Sequence, residues 1–236
     1  MTESNKRLVI LTPGYNPTEE ERLEYDRIAS EIKLRLSHFL DTSFIIIDDG
    51  SAVKITSEHA TVIHLAQNAG KGAAIKSGVK MIKEADYVLY TDFDFPYTIE
   101  SLISVVHAIS DEKLSPDLVI SQRSGQYFSK QPFQRRLISA LIKGLNKYFL
   151  GLKHYDTQAG LKAMKKGKAS EILGMVATNG FLFEIEFISK AEKNGLVIVG
   201  VPVELREDVE IIPVSWKTIR KNAVAMFKLL VAKISP

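Results

Sequence analysis

Short β-rich runs alternate with longer stretches of helical periodicity along most of this chain. The runs are Leu8–Leu11, Phe44–Ile47, Thr61–Leu65, Tyr87–Thr91, Leu118–Ser121 and Leu196–Val201. Between them Glu19–Leu40, Ala73–Lys83 and Ile99–Ile109 carry helical patterns. This alternation predicts an α/β fold, a mostly parallel sheet flanked by helices. Such sheets present ligands at the carboxyl ends of their strands. Polar loops fall at four of those ends: Pro13-Gly14-Tyr15-Asn16, Asp48-Asp49-Gly50-Ser51, Asn68-Ala69-Gly70-Lys71-Gly72, and the pair Asp92 and Asp94. Any one of them is ordinary turn chemistry. Four in register on one edge point to a site.

Two later segments read as amphipathic helices. In Phe133–Leu152, apolar residues recur at 133, 137, 138, 141, 145, 149 and 152, opposite Arg135, Arg136, Ser139, Lys143 and Lys147. In Trp216–Ile234, they recur against Lys217, Arg220, Lys221 and Lys228. One such helix is expected to pack on a core. Two, both free of acids, suit an anionic membrane surface.

Charge sharpens that expectation. The net charge is only +3, but residues 1–120 hold 12 basic and 19 acidic side chains, whereas 121–236 hold 19 and 9. The halves therefore carry −7 and +10. No acid lies between Asp117 and Asp156, or after Glu210. A basic half of this kind calls for an anionic partner. With 236 residues and 45% hydrophobic content, one domain spanning 1–236 is expected. No apolar run approaches the ~20 residues needed to span a bilayer. Met-Thr-Glu-Ser-Asn-Lys-Arg leads directly into a strand, so no secretory signal is expected. The absence of Cys removes disulfides and thiolate metal sites and suits a reducing cytoplasm.

Asp92 and Asp94 sit where a strand breaks into a loop. Two carboxylates so placed offer hard oxygens to Mg²⁺ or Mn²⁺, which fills its other positions with water and substrate phosphates. In company with PGYN, IIIDDGS, NAGKGAAIKSG, YTDFDFP, SQRS, YDTQAGLK and FLFEIEF, the pattern resembles family 2 glycosyltransferases of the GT-A fold. It is most similar to the branch that acts on polyprenyl phosphates, and the likeness runs from about Leu8 to Lys217.

That resemblance implies a metal-dependent, inverting transfer of a hexose from a nucleotide diphosphate sugar to a polyprenyl phosphate. On the donor side it implies base contact by Asp49, turn support by Asp48, and a base and ribose wall of Pro13, Tyr15 and Asn16. Gly70 and Gly72 would let backbone approach the diphosphate, with Lys71 as a nearby cation. Asp92 would act near ribose and metal, and Asp94 would be the direct metal ligand. On the acceptor side Arg123, Arg135, Ser139, Gln158 and Lys162 would meet phosphate. Asp156 would orient the acceptor or a basic side chain, and Glu186 matches the family's acidic position; either would act as a base if the acceptor were a hydroxyl. Phe93 and Phe95 are bulkier than the family's usual residues and are expected to alter the sugar pocket. Peripheral attachment to the cytoplasmic face of a membrane is implied, with a membrane-protein partner supplying spans that this sequence lacks.

Three rivals are weighed. The nearest is a glycosyltransferase of the same fold acting on a glycan or protein hydroxyl. A sugar-phosphate nucleotidyltransferase would have a Gly-rich loop after the first strand, where PGYNPTEEE has one Gly. A nucleic-acid module fits the basic stripe, but acidic strand-end loops would repel phosphates, so no nucleic-acid partner is expected.

Overall fold

The computed structural model describes residues 6–123, 133–154, 156–180 and 182–209. Seven strands form one sheet: β1 (Arg7–Gly14), β2 (Asp41–Asp48), β3 (Thr61–His64), β4 (Tyr87–Tyr90), β5 (Leu118–Arg123), β6 (Lys162–Lys165) and β7 (Ile198–Val203). Their order is β3-β2-β1-β4-β6-β5-β7. All pairings are parallel except those of β6, which runs antiparallel to both β4 and β5. The mostly parallel α/β sheet expected from the alternation is therefore present.

The helices are α1 (Glu19–Leu36), α2 (Lys71–Met81), α3 (Ile99–Ser110), α4 (Phe133–Gly144), α5 (Lys166–Gly174) and α6 (Phe183–Lys193). Alternate residues of β1 explain how they are distributed. Leu8 and Ile10 point into a core with Ile28 and Ile32 of α1 and Leu102 and Val105 of α3. Val9 and Leu11 point into a second core with Ile75 and Val79 of α2, Ile172 of α5 and Phe187 of α6. Because both faces are covered, a central strand such as β4 is buried at every position.

Local chemistry sets the element ends that matter for the site. Thr18 caps α1: its hydroxyl accepts from the Glu21 N–H (3.2 Å), and the Glu21 carboxylate accepts from the Thr18 N–H (2.7 Å). The acids after Pro17 thus serve a helix start. Gly70 is the residue before α2 and has φ 91°, a conformation that Gly adopts without strain, so α2 begins two residues before the sequence pattern suggested.

Several expectations need correction. α1 ends at Leu36 rather than Leu40, because the chain turns there and buries Leu40 at the entry to β2. The last strand runs Ile198–Val203, two residues later than predicted. β6 and α5 had no strong signal, since β6 opens on a lysine. The helix predicted over 133–152 is α4 followed by a π-helical turn, Leu145–Phe149, and it stops before Gly151 at φ 67°. The amphipathic stretch 216–234 lies outside the described residues.

Candidate active site

The first three strand-end loops are laced together by their own polar side chains. Asp48, buried at the end of β2, accepts from the Ser51 N–H (2.9 Å), the Ile55 N–H (3.2 Å) and His64 Nδ1 (2.8 Å). Burial alone would raise its pKa, but those bonds outweigh it and hold the carboxyl below its ordinary value. This is the turn support expected of Asp48. Asp49 joins two of these loops. Its two oxygens accept from the Ala69 and Gly70 N–H groups, 2.8 Å each, and the residue is buried. A carboxylate so engaged holds the third loop against the second. Asn16, at φ 50°, donates its N–H to Ser51 and accepts from Ala52 N–H, 2.8 Å each, joining the first loop to the second. Pro13 is half-buried at the end of β1, and Tyr15 stands exposed beside it.

The fourth loop alternates inward aromatics with outward acids. Phe93 stacks on Tyr25 of α1 at 4.9 Å between ring centroids, and Phe95 lies against the same ring at 5.1 Å. Phe95 is buried and sits at φ 42°, a strained conformation for a bulky residue, held by this packing. The two phenylalanines therefore seat the loop on the core. Arg206, just after β7, donates to Glu24 (2.8 Å) and Asp208 and reaches the carbonyls of Asp94 (3.4 Å) and Phe95 (3.5 Å). It anchors the loop backbone from outside.

This leaves Asp92 and Asp94 facing out. Partial withdrawal from water, and then the neighbouring Asp92 carboxylate, raise the pKa of Asp94 above its ordinary value. Two like charges held together in this way are stabilised by a cation. Among the described residues no three His, Cys, Asp or Glu side chains cluster to form a complete metal cage. Two hard carboxylates with open positions fit Mg²⁺ or Mn²⁺ shared with a diphosphate. The cation already beside them is Lys71, the first residue of α2, whose Nζ donates to Asp92 Oδ1 at 2.5 Å. Gly160 packs against the same carboxylate: a Cβ there would lie 2.2 Å from Asp92 Oδ2.

Below this pair lies a buried network that sequence reasoning missed. Glu184, in the first turn of α6, accepts from Lys162 Nζ (2.7 Å) and Tyr90 OH (2.8 Å). Its other oxygen is 3.8 Å from Lys71 Nζ. Lys162 is 0% exposed and also donates to the carbonyls of Thr157 (3.1 Å) and Ala159 (2.6 Å). Burial pulls its pKa below that of a free lysine, against the pull of Glu184. Lys162 faces the core and holds the preceding loop, so it cannot meet an acceptor phosphate. The signal available was a lysine between Leu161 and Ala163, in a run otherwise fit for a buried strand.

The acceptor-side acids are also committed. Asp156 is bonded by the Arg123 guanidinium and backbone N–H (3.1 Å) and by Lys143 of α4 (3.1 Å). Burial would raise its pKa, but Arg123 and then Lys143 outweigh that and lower it. Asp156 thus orients basic side chains, as one of its two expected roles had it, and is a poor proton acceptor. Glu186 accepts from the N–H groups of Ala177 (3.0 Å) and Thr178 (2.9 Å) and from the Thr178 hydroxyl (2.7 Å). It fixes the loop before α6. On a helix, residues two apart diverge, so Glu184 and Glu186 do not face one another. Gln158 is half-buried and bonds only weakly to Thr157 (3.4 Å). Ser139 is half-buried on α4, one turn from Arg135. Asn146, in the π-helical turn, donates to Thr157 Oγ1 (3.1 Å) and so ties α4 to the loop that carries Asp156.

No helix among the described residues is long and apolar enough to cross a membrane. α4 and the turn after it nevertheless expose Leu137 (50%), Leu141 (63%) and Tyr148 (77%), with Arg136 and Lys147 exposed beside them.

Comparison with known proteins bears on the family and the fold. The chain is 24% identical over 254 residues to dolichyl-phosphate beta-glucosyltransferase of Saccharomyces cerevisiae, covering 96% of this chain and 72% of the relative. It is 25% identical over 240 residues to polyprenol monophosphomannose synthase of Mycolicibacterium smegmatis, covering 95% and 86%. Its fold matches glucosyl-3-phosphoglycerate synthase from Mycobacterium tuberculosis, solved with Mn²⁺, UDP and glucosyl-3-phosphoglycerate. That match has a TM-score of 0.60 at 19% identity and covers 97% of this chain and 78% of the other. The model of Glycosyl transferase family 2 matches residues 19–173, well over half of the chain. The protein is therefore a glycosyltransferase with a GT-A fold and belongs to glycosyl transferase family 2.

Proposed function

We propose that the enzyme transfers a hexose, with inversion, from a nucleotide diphosphate sugar to a polyprenyl phosphate held at an anionic membrane surface. The donor end of this reading rests on the outward pair Asp92 and Asp94 at the carboxyl edge of the sheet, beside Lys71 and the third loop. A divalent ion held by that pair would offset the charge that develops on the departing nucleotide diphosphate. Lys71 adds a positive charge on the same side. Phe93, Phe95 and Arg206 hold the loop so that the two carboxylates are in place before the donor arrives.

The acceptor end is carried by one observation: Asp156 and Glu186, the two acids expected to serve as a base for a hydroxyl, are already committed. Asp156 is bonded to Arg123 and Lys143, and Glu186 to the loop before α6. A phosphate monoester has its second pKa at ~6 and is largely ionised near neutrality. It needs cations rather than a base, and the basic helix α4 with Arg123 and Lys143 supplies that environment. The polyprenyl-phosphate enzymes among the relatives support the same choice. A hydroxyl acceptor in a glycan or protein would find neither of these two acids free to take its proton.

The exposed apolar and basic residues of α4 support docking on an anionic bilayer, with the aliphatic side chains among the lipids and Arg136 and Lys147 at the headgroups. The metal assignment is tested by Asp94→Asn. Turnover should fall by at least about 10³, while the melting temperature stays close to that of the parent because the residue is exposed. Near-normal turnover in that variant refutes the assignment.

A further inference from the structure

Lys71 stands between two carboxylates in unequal contact. Its Nζ is 2.5 Å from Asp92 Oδ1 and 3.8 Å from Glu184 Oε1. Glu184 Oε2 is fully used, by Lys162 at 2.7 Å and Tyr90 at 2.8 Å. Glu184 Oε1 is buried and has no hydrogen-bond partner among the described residues. A buried carboxylate oxygen without a donor is costly, and the nearest ammonium is held by Asp92. Lys162 and Tyr90 fix the Glu184 carboxylate from behind, so the short remaining distance is closed by Lys71, whose side chain is long and flexible.

We propose that Lys71 is an exchangeable counter-ion that holds Asp92 when no divalent ion is bound and passes to Glu184 Oε1 when one is. Without this exchange, Lys71 would compete with the incoming cation for the same carboxylate. With it, the positive charge is retained below the site, and Glu184 acts as a positioning residue through Lys71. The inference rests on the reading of Asp92 and Asp94 as the metal pair.

The test is Mn²⁺ binding followed by electron paramagnetic resonance, without nucleotide, on the whole protein. Five proteins are compared: the parent, Lys71→Gln, Glu184→Gln, the double variant and Asp94→Asn. Lys71→Gln should bind Mn²⁺ several-fold more tightly, because the competitor is gone. Glu184→Gln should bind several-fold more weakly, because Lys71 then has no second carboxylate to accept it. In the Lys71→Gln background the Glu184→Gln change should matter by less than about twofold, the limit of additive error. Simple electrostatics, in which each charge acts independently, instead predicts that the Glu184→Gln loss persists unchanged in that background, and that result overturns the exchange. Weaker binding by Lys71→Gln, a change at a part-exposed helix start that leaves the buried pair intact, overturns it equally. If the parent binds no Mn²⁺, the metal reading itself fails and the exchange with it. Binding by the parent that is lost in Asp94→Asn keeps the two ideas separable.

Discussion

Asp92 illustrates how much a single side chain depends on its immediate neighbours. Lys71 holds one oxygen, and Gly160 approaches the other so closely that a methyl group would lie 2.2 Å away. Gly160→Ala must therefore displace the carboxylate or the loop that bears Gly160. We expect donor kcat/KM to fall about tenfold or more, with a smaller effect on acceptor KM. Steady-state kinetics with each substrate varied in turn would check it, and an equal effect on both would argue against a local cause. The acidic pair was legible in the sequence from its position at a strand end. Its supports were not: nothing in a linear pattern places Gly160 or Lys71 on the same carboxylate, since they come from different loops. Asp49, Asp156 and Glu186 were singled out by the motifs IIIDDGS, YDTQAGLK and FLFEIEF that carry the family resemblance, but a sequence does not show which partner an acid has.

The elements show the same division. The strands β1, β2 and β4 and the helices α1 and α3 were readable because their cores demand regular apolar spacing. β6 was not, because it is only four residues long and begins with an ion pair. That pair has a clear energetic signature. Lys162→Met leaves Glu184 buried without its main cation, which should cost about 3–5 kcal/mol in chemical denaturation. Lys162→Met combined with Glu184→Gln should recover part of that loss, because no uncompensated charge remains. If Lys162→Met alone leaves stability unchanged, the buried network is not formed as described. The π-helical turn after α4 was likewise invisible to a period of 3.6 residues, although it brings Asn146 to the loop of Asp156.

For the molecule as a whole, the sheet divides the chemistry in a way the charge asymmetry anticipated. The strand ends of β2 and β4 carry the acids Asp48, Asp49, Asp92 and Asp94, while β5, α4 and the π-helical turn carry Arg123, Lys143 and Lys147. Membrane attachment through α4 should be weakened by Leu137→Glu combined with Leu141→Glu. In flotation with anionic vesicles that variant should remain with the soluble fraction while the parent floats; equal flotation would exclude this face. The chemical account itself is decided by where the sugar goes. Incubated with labelled UDP-glucose or GDP-mannose, a short polyprenyl phosphate and Mn²⁺, the enzyme should move label into the organic phase on extraction. The transfer should be lost with EDTA. Label that stays in the aqueous phase on a glycan, protein or phosphorylated three-carbon acceptor, with none on the lipid, would contradict it.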